Sequence, residues 1–413
     1  MTPPDSENVG PGKKGKTKAW IAIGCAAGLG ILLAVGILLR ADHPSTADVK
    51  GEPGISYTHD IVASVPWSIH VVKVDRKRKD IAFAAPLAKG KVLGVSTIAE
   101  QARTLPPEIG RALAGVNGDF YERDNPKYAG DPRGLQIVNG ELVSAPSTVC
   151  IWFDADSNPH LEEVKGDFKI TWPDGRKMTF DINRQRRSNM AVVYTATYGT
   201  STRIVGGQDL ILEREGTGAW LPLQVGQKYQ ARVREIRAGA DTQIPADAIL
   251  LSIGPQLSNA IPQMTIGAVV QISTATIPDL TGVKTAIGGG PAIIQNGNPF
   301  SATTPLGRGS EGYSERSKYE RHPRSAVGWN TTHFFFVTVD GRQPGLSVGM
   351  TLEELAKYMV KLGCTDGMNF DGGNSASIWL AGEIMNSPCQ GLKPVANSLL
   401  AVRKATQAAA RKN

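Results

Sequence analysis

The stretch GMNFDGGNSASIWL, from Gly367 to Leu380, places an apolar run, a polar turn rich in glycine and a second apolar run in succession. This order predicts a strand, a tight turn and another strand. The preceding stretch TLEELAKYMVKLG is a predicted helix, because Thr351 and Glu354 form a capping box and Gly363 supplies the C-terminal stop. Helix and strands together predict an α+β fold.

The composition indicates a large folded body. The chain has 413 residues, of which 41% are hydrophobic and 20% charged, so a wholly disordered protein is excluded. Its 46 glycines and 26 prolines, with 6% aromatic residues, favour a strand-rich body over a helical bundle. We predict an α+β, strand-rich mixed domain with a few helices over residues 55–405, with a β-rich middle part at 150–280. Residues 40–54 are a predicted linker and 406–413 a predicted tail.

One segment differs from the rest of the chain. Residues 19–39, AWIAIGCAAGLGILLAVGILL, contain no charged side chain and as a helix would span about 30 Å, the thickness of a bilayer core. Four lysines within residues 1–18 precede it, which predicts a cytoplasmic N-terminal tail. We interpret the segment as a transmembrane signal anchor in the cell membrane, with the C-terminal domain outside the cytoplasm. A cleaved signal peptide and a lipoprotein signal at Cys25 remain alternatives.

The glycines of this segment and the net charge indicate which partners to expect. Gly24 and Gly28 form a GxxxG spacing, which would let two such helices dimerise, although glycines are also common in membrane helices. The net charge of +7 is a mild excess that suits an anionic substrate or an acidic envelope. No basic helix or basic stripe with interleaved aromatics occurs, so nucleic acid is not an expected partner.

Three cysteines, Cys150, Cys364 and Cys389, follow the apolar segment. An odd number allows one disulfide and one free thiol, and Cys364 and Cys389 are the nearer pair in sequence. No CxxC spacing occurs and the histidines do not cluster with the cysteines, which disfavours a zinc site.

Polar residues and glycines gather at the ends of several apolar runs. These segments are VNGDFY (116–121), IGGGPAII (287–294), RHPRSAVGW (321–329), VDGR (339–342) and NFDGGNSAS (369–377). Glycines let a ligand approach the backbone, arginines grip a phosphate, and carboxylates supply a base or nucleophile for glycosidic cleavage. Each segment alone is also explained by an ordinary turn, but the combination indicates a site for a sugar or a phosphate.

In this order the segments resemble the phosphodiester glycosidase family, over roughly residues 55–405. The family's motifs resemble NG-x-F, P-x-G, GGGP, HPR-[ST]-A, DGR and N-x-DGG-x-S. The matching positions begin at Asn117, Pro132, Gly288, His322, Asp340 and Asn369. Two residues depart from the pattern, Asp119 and Asn374, each where the family often has glycine, and both departures leave the substrate preference open.

The resemblance implies an enzyme that hydrolyses a sugar–phosphate diester at the anomeric carbon. We expect Asp371 to act as base or nucleophile, with Asp119 or Asp340 as its catalytic partner. We expect Arg324 and Arg342 to hold the phosphate. The residues expected to position the sugar or to line the pocket are Asn117, Asn369, Ser375, Gly288, Gly289, Gly290, Gly372 and Gly373. A divalent cation such as calcium, bound by carboxylates, is a candidate cofactor.

The predicted location and the resemblance together suggest a role in the cell envelope, on envelope glycans or exopolysaccharide. The alternative is a non-catalytic protein that binds or assembles an anionic polysaccharide with the same pocket. Release of free reducing sugar from a glycosyl-1-phosphodiester would separate the two.

Overall fold

The computed structural model describes residues 47–49, 52–147, 149–300 and 314–405. The predicted cytoplasmic tail, the apolar segment 19–39 with Gly24 and Gly28, most of the predicted linker and the tail 406–413 lie outside the described residues. Among the helices of the described ranges, none combines the length and the apolar composition that spanning a bilayer requires.

Three α-helices occur in the described ranges: α1 (Ile98–Arg103), α2 (Glu315–Tyr319) and α3 (Leu352–Lys361). Thr97 caps α1 and Thr351 caps α3, and in each case the glutamate three positions on, Glu100 or Glu354, bonds back to the cap. These are capping boxes, and the one on α3 confirms the prediction. Gly363, just beyond α3, has a φ of 96°, which suits a helix C-terminus.

Eight strands form the sheet that carries most of the motifs, here called the first sheet. In order across the sheet they are β1 (Ala47–Asp48), β2 (Ile55–Val62), β3 (Trp67–Asp75), β22 (His333–Val339), β21 (Arg324–Trp329), β23 (Asp366–Asn369), β19 (Ala292–Gln295) and β20 (Asn298–Pro299). Because β21 runs antiparallel to both β22 and β23, its start lies at the same edge as the ends of its two neighbours. The HPR, DGR and DGG motifs therefore meet at one edge.

A second sheet packs against the first. Its strands, in order, are β25 (Glu383–Ile384), β24 (Ile378–Leu380), β5 (Arg111–Asn117), β26 (Ser398–Arg403) and β4 (Ile81–Ala84). The core between the two sheets contains Phe83 and Val116 from the second sheet and Phe334 and Phe336 from the first. This packing brings the end of β5, at Asn117, close to the edge where the other motifs meet.

Residues 334–337 (FFFV) of β22 form a continuous apolar run because both faces of the strand are covered. Successive side chains of a strand point to opposite faces. Phe334 and Phe336 belong to the core shared with the second sheet, whereas Phe335 belongs to the core that includes Leu355 and Met359 of α3. The first sheet is therefore the middle layer between α3 and the second sheet.

Two further sheets complete the described ranges. The third sheet contains β7 (Glu141–Ser144), β6 (Gln136–Val138), β18 (Thr285–Gly288), β8 (Val149–Phe153) and β9 (Pro159–Glu163). The fourth contains β11 (Lys177–Thr179), β10 (Lys165–Thr171), β17 (Val269–Ile277), β15 (Lys228–Ala240), β14 (Val205–Arg214), β16 (Ile249–Ile253), β13 (Ala191–Tyr194) and β12 (Asp181–Ile182). In β8, Cys150 belongs to the core of the fourth sheet and Ile151 to the core between the first and second sheets. The third sheet therefore contributes to both of these cores. The predicted strand-rich mixed domain with a few helices is confirmed.

Gly328 in β21 allows the close approach of the layer that contains α3. An added Cβ would lie 2.7 Å from Cε of Met359 and 2.9 Å from both the carbonyl oxygen of Asp366 and Sγ of Cys364.

We expect Gly328→Ala to lower the free energy of unfolding by about 1–3 kcal/mol, because contacts this short force the layers apart. The matched control is Gly218→Ala, in an exposed bend where an added Cβ has no atom within 4 Å. Urea unfolding checks both variants, and equal stability of the two would contradict the packing.

Candidate active site

A cleft of about 850 Å³ opens where the motif segments meet. Its walls come from the segments after β5, β22 and β23 and from the segment that leads into β21. The predicted site residues in its lining are Arg324, Arg342, Asn369, Asp371, Gly372, Gly373 and Ser375. The predicted site residues outside that lining are Asn117, Asp119, Asp340, Gly288, Gly289 and Gly290.

The end of β5 holds the backbone of Asp371. The N–H of Asp371 donates to the carbonyl of Gly118 at 3.0 Å, and its carbonyl accepts from Nδ2 of Asn117 at 2.6 Å. Oδ1 of Asn117, which is fully buried, accepts from Oγ of Ser325 at 2.7 Å and from the N–H of Ser377 at 3.0 Å. Asn117 therefore joins β5, β21 and the DGG turn and supports the site from outside the cleft.

The carboxyl group of Asp371 lines the cleft. Burial raises its pKa from 3.8 to about 6, and the hydroxyl of Ser375 and the positive charges of Arg123 and Arg133 oppose the increase. A carboxyl group with this pKa is mostly ionised at neutral pH, yet it accepts a proton more readily than an exposed aspartate does. It has the properties that a general base or a nucleophile needs.

Asp119 is buried near Asp371 but does not line the cleft. One carboxylate oxygen accepts the N–H of Phe120 and the other the N–H of Gly134, both at 2.7 Å. Burial raises the pKa of Asp119 to about 7, the two N–H donors oppose the increase, and the charge of Asp371 adds to it. Since both oxygens bind backbone within the protein, Asp119 shapes the loop that carries Gly134 and does not face a ligand.

The glycines of the GGGP motif serve close packing and do not line the cleft. An added Cβ at Gly288 would lie 2.5 Å from Oδ2 of Asp119, and one at Gly289 would lie 2.8 Å from the ring of Phe370. The N–H groups of Gly288 and Gly290 donate to backbone carbonyls at 2.7 and 2.8 Å. The expectation that these amides line the pocket is corrected, because the segment lies against the buried side of the site.

Asp340, an expected catalytic partner, lies in a buried polar network outside the cleft. Its Oδ2 accepts from Oγ of Ser68 at 2.8 Å and from Nε2 of His70 at 3.0 Å. Its Oδ1 accepts from Nδ2 of Asn386 at 3.1 Å and from the N–H of Ser387 at 2.9 Å. With both oxygens bonded in this way, Asp340 fixes the segments beside the cleft and is not placed to reach a substrate.

Arg324 lines the cleft, but its guanidinium also holds neighbouring backbone. Nε donates to the carbonyl of Met350 at 2.8 Å, and Nη2 donates to the carbonyls of Ser317 and Glu320 at 2.9 and 3.0 Å. The residue is buried. Arg324 therefore anchors α2 beside the cleft, and its charge contributes to the potential at the wall.

Arg342 connects three of the motifs. Its Nη2 lies 3.1 Å from Nδ1 of His322, and its Nη1 donates to Oδ1 of Asn374 at 3.4 Å. An added Cβ at Gly373 would lie 3.2 Å from Nη1, so the guanidinium covers the DGG turn. The HPR, DGR and DGG motifs thus converge on one exposed cation whose backbone φ is 58°, in the left-handed region.

Asn369 offers the cleft a hydrogen-bond acceptor. Its Nδ2 donates to the carbonyls of Gly290 and Phe370 at 3.0 and 2.8 Å, whereas its buried Oδ1 has no hydrogen-bond partner among the described residues. Asn369 is 1% exposed and lines the cleft. A buried acceptor without a donor costs free energy, so a hydroxyl group of a ligand would stabilise this site.

Several residues of the cleft are not predicted from the sequence: Tyr121, Arg123, Arg133, His322, Gln390 and Lys393. They lie in loops without a periodic pattern, and the sequence signal is that Tyr121, Arg133 and His322 stand inside the VNGDFY, P-x-G and HPR segments. Within the described lining, the Lys and Arg side chains are Arg123, Arg133, Arg324, Arg342 and Lys393. Asp371 is the one acidic side chain in that described lining, so the cleft attracts anions.

The donor set does not fit a calcium ion. No group of three or more His, Cys, Asp or Glu side chains converges in the part of the chain that the structure describes. Ca²⁺ takes about 6–8 oxygen ligands, usually with several carboxylates. The described part of the cleft lining offers one carboxylate among cationic side chains.

The three described cysteines are buried thiols, and the disulfide considered between Cys364 and Cys389 is not formed. Cys364 packs in the core beside α3, whereas Sγ of Cys389 lies 3.1 Å from Oδ1 of Asn374 at the cleft. Burial raises the pKa of the Cys364 thiol to about 12, which makes it unreactive.

Solved structures of other proteins share this fold. A hypothetical protein from Synechocystis superposes with a TM-score of 0.69 at 20% identity, covering 88% of this chain and 65% of its own, so this chain spans 65% of that protein's length. A putative exported protein from Burkholderia pseudomallei superposes with a TM-score of 0.62 at 22% identity, covering 81% of this chain and 74% of its own. At such identities the likeness indicates the fold alone.

A third structure is the catalytic domain of zebrafish N-acetylglucosamine-1-phosphodiester alpha-N-acetylglucosaminidase, auto-inhibited by its pro-peptide. It has 14% identity and covers 87% of this chain and 86% of its own, but its TM-score of 0.43 is too low to indicate a shared fold. None of the curated proteins matches this chain.

The family model of the phosphodiester glycosidases matches residues 230–402, a range that includes the GGGP, HPR, DGR and DGG motifs. The predicted resemblance to the phosphodiester glycosidase family is therefore confirmed over residues 230–402.

Proposed function

We propose that this protein hydrolyses a sugar–phosphate diester at the anomeric carbon of the sugar. The observation that carries the proposal is the cleft: in its described lining Asp371, with a pKa of about 6, is the one acidic side chain among five cationic side chains. Cationic side chains suit a phosphodiester, and a single ionised carboxylate suits attack at an electron-poor carbon. The family match over residues 230–402 supports the same reaction class.

The reaction breaks the bond between the anomeric carbon and the bridging phosphate oxygen. The bonding electrons leave with the phosphate monoester, which is a good leaving group and needs little protonation. Arg342 holds the phosphate, and Arg123 and Arg133, the cations near Asp371, stabilise the charge that develops on it. Water supplies the new hydroxyl group at the anomeric carbon. Asp371 either takes the proton of that water or first forms a glycosyl ester that the water then hydrolyses.

The sugar would bind where Asn369 and Ser375 line the cleft. Oδ1 of Asn369 accepts a hydrogen bond from a sugar hydroxyl, which satisfies the buried acceptor. Such contacts orient the anomeric carbon toward Asp371 and lower the entropic cost of reaching the transition state. The N-terminal segment 19–39, as a membrane anchor, would place this activity at the cell envelope, with envelope glycans or exopolysaccharide as substrates.

One observation favours a second candidate, a binding or assembly protein for anionic polysaccharide. Most glycosidases use two carboxyl groups at the reacting bond. Within the described lining Asp371 is the one carboxyl group, and Asp119 and Asp340 are bonded inside the protein. A protein of this kind would bind a glycosyl-1-phosphodiester without releasing reducing sugar.

We expect Asp371→Asn to lower the rate of reducing-sugar release by about 10²–10⁴-fold, because the amide can neither accept a proton nor attack carbon. The control is Asp156→Asn, an exposed aspartate outside the cleft, which should keep wild-type activity. The measurement is sugar release from a panel of glycosyl-1-phosphodiesters. Wild-type turnover by the Asp371→Asn protein would remove Asp371 from the mechanism.

We expect kcat to fall with decreasing pH below about 6, since Asp371 must be ionised and burial raises its pKa to about 6. The slope approaches tenfold per pH unit once Asp371 is mostly protonated. A pH series of kcat at saturating substrate tests this expectation. A constant kcat down to about pH 4, the range of an ordinary aspartate, would contradict it.

We also expect Asp371→Asn to stabilise the fold at neutral pH. The native pKa of about 6 exceeds the ordinary value of 3.8, so the native state binds more protons than the unfolded state between these values and stability falls as pH rises through them. The penalty is complete above about pH 6 and amounts to at most about 3 kcal/mol. Urea unfolding near pH 8 should show a gain of about 1–3 kcal/mol that shrinks toward pH 4, with Asp156→Asn unchanged. A loss of stability near pH 8 would be inconsistent with the burial cost.

A further inference from the structure

His322 lies between Arg342 and the helix α2. Its Nδ1 is 3.1 Å from Nη2 of Arg342, and its Nε2 is 3.2 Å from the carbonyl oxygen of Arg316. His322 lines the cleft with Arg342, and it is the residue before Pro323, whose carbonyl accepts the N–H of Gly373 at 2.9 Å. The imidazole therefore contacts the cation of the DGR motif and the backbone of α2, and the next residue in the chain binds the DGG turn.

These two contacts determine the protonation state of the ring. A guanidinium has only donors, so Nδ1 must present a lone pair to Arg342. A carbonyl oxygen has only acceptors, so Nε2 must carry the hydrogen that points to Arg316. The neutral ring with hydrogen on Nε2 satisfies both contacts. In the protonated ring, Nδ1 carries a hydrogen and a positive charge, and it repels Arg342.

We propose that His322 is a positioning residue that holds the Arg342 guanidinium over the DGG turn while its ring is neutral, and that protonation of the ring releases Arg342 and weakens substrate binding in acid. The inference rests on the proposed function for its effect on substrate. His322 itself does not touch the reacting atoms in this role. It acts through Arg342, whose second contact, to Asn374 at 3.4 Å, is too long to hold the guanidinium alone.

The charges around His322 favour the neutral ring. Burial lowers the pKa of His322, and the positive charges of Arg324 on β21 and Arg342 after β22 lower it further. The carbonyl of Arg316 and the carboxylate of Glu320, 3.9 Å from Nε2, act in the opposite direction. Other charges on the packed elements are paired with each other: Arg316 with Glu320, Lys318 with Glu315, and Arg321 with Glu354. Together these surroundings hold the pKa of His322 below the ordinary value of a histidine.

The effect of His322 on substrate binding depends on the position of the Arg342 guanidinium. Its guanidinium covers Gly373, next to Gly372 and Asp371 in the same turn, so its position sets where a phosphate lies relative to the Asp371 carboxylate. Loss of the contact to Nδ1 frees a long side chain to sample other rotamers. The predicted effect is on KM, because binding weakens before the chemistry of Asp371 is changed.

The kinetic experiment uses the full-length chain and three proteins: wild type, His322→Asn and His322→Leu. Asparagine places an acceptor oxygen close to the position of Nδ1 and does not titrate, whereas leucine offers no acceptor. We expect His322→Leu to raise KM about tenfold with kcat changed less than about twofold, since one hydrogen bond to a charged group is lost. His322→Asn should return KM to within about threefold of wild type and abolish the rise of KM in acid.

Two kinetic results would overturn the proposal. One is an unchanged KM in His322→Leu, and the other is a KM of His322→Asn that rises in acid as the wild-type KM does. Thermal unfolding of each variant shows whether it folds, and rescue by asparagine separates positioning from a merely structural role. Titration of Asp371 changes kcat and titration of His322 changes KM, so the kinetic parameter that changes distinguishes the two.

A spectroscopic measurement decides the proposal even if the wild type hydrolyses no substrate, in which case the proposed function alone fails. In the full-length chain labelled with nitrogen-15 histidine, the His322 ring should show hydrogen on Nε2 at neutral pH. Arg342→Gln should raise the pKa of His322, since a neighbouring cation is removed. A ring with hydrogen on Nδ1, or a His322 titration that Arg342→Gln leaves unchanged, would refute the contact.

Discussion

Two hydrogen bonds between the end of β5 and Asp371 hold the candidate site together. The N–H of Asp371 binds the carbonyl of Gly118, and its carbonyl binds Nδ2 of Asn117. Asn117 also binds Ser325 at the start of β21, so one buried amide joins the second sheet to the first at the cleft. Buried polar groups of this kind are costly unless all of their partners are present. The position of the Asp371 carboxylate therefore depends on residues far away in the sequence.

The electrostatics of the cleft follow from this arrangement. A carboxyl group that the fold holds partly buried at the cleft has a raised pKa, which costs stability at neutral pH. The nearby positive charges of Arg123 and Arg133 reduce that cost, and the same charges attract an anionic substrate. Stability and the proposed activity thus make opposite demands on Asp371. A conflict of this kind is common at sites of catalysis and uncommon in a purely structural core.

The sequence predicts the elements and the meeting of the motifs better than it predicts the role of each side chain. The capping box of α3 and the polar ends of strands are local patterns, and Asp371, Arg342 and Ser375 do line the cleft. Asp340 and Asn117 are also polar residues at strand ends, but their side chains point into buried networks. Whether a polar residue at a strand end faces a cleft or a core depends on layers formed by distant parts of the chain.

The glycines and the loop cations show the same limit. Nothing in the sequence around Gly288 shows that a glycine is required there. The requirement arises because Asp119, from another strand end, lies too close for a side chain at position 288. Arg123 and Lys393 lie in loops with no periodic pattern, so only the folded chain shows that they line the cleft with Asp371. Arg342 is an intermediate case, because its motif is visible but its contact with His322 is not.

The most direct measurement follows the oxygen atom of water into the two products. Hydrolysis of a glycosyl-1-phosphodiester in water labelled with oxygen-18, followed by mass spectrometry of both products, identifies which bond breaks. Cleavage at the anomeric carbon, with Asp371 as base or nucleophile, predicts the label on the sugar and none on the phosphate monoester. Label on the phosphate would mean attack at phosphorus, and that result would contradict the account.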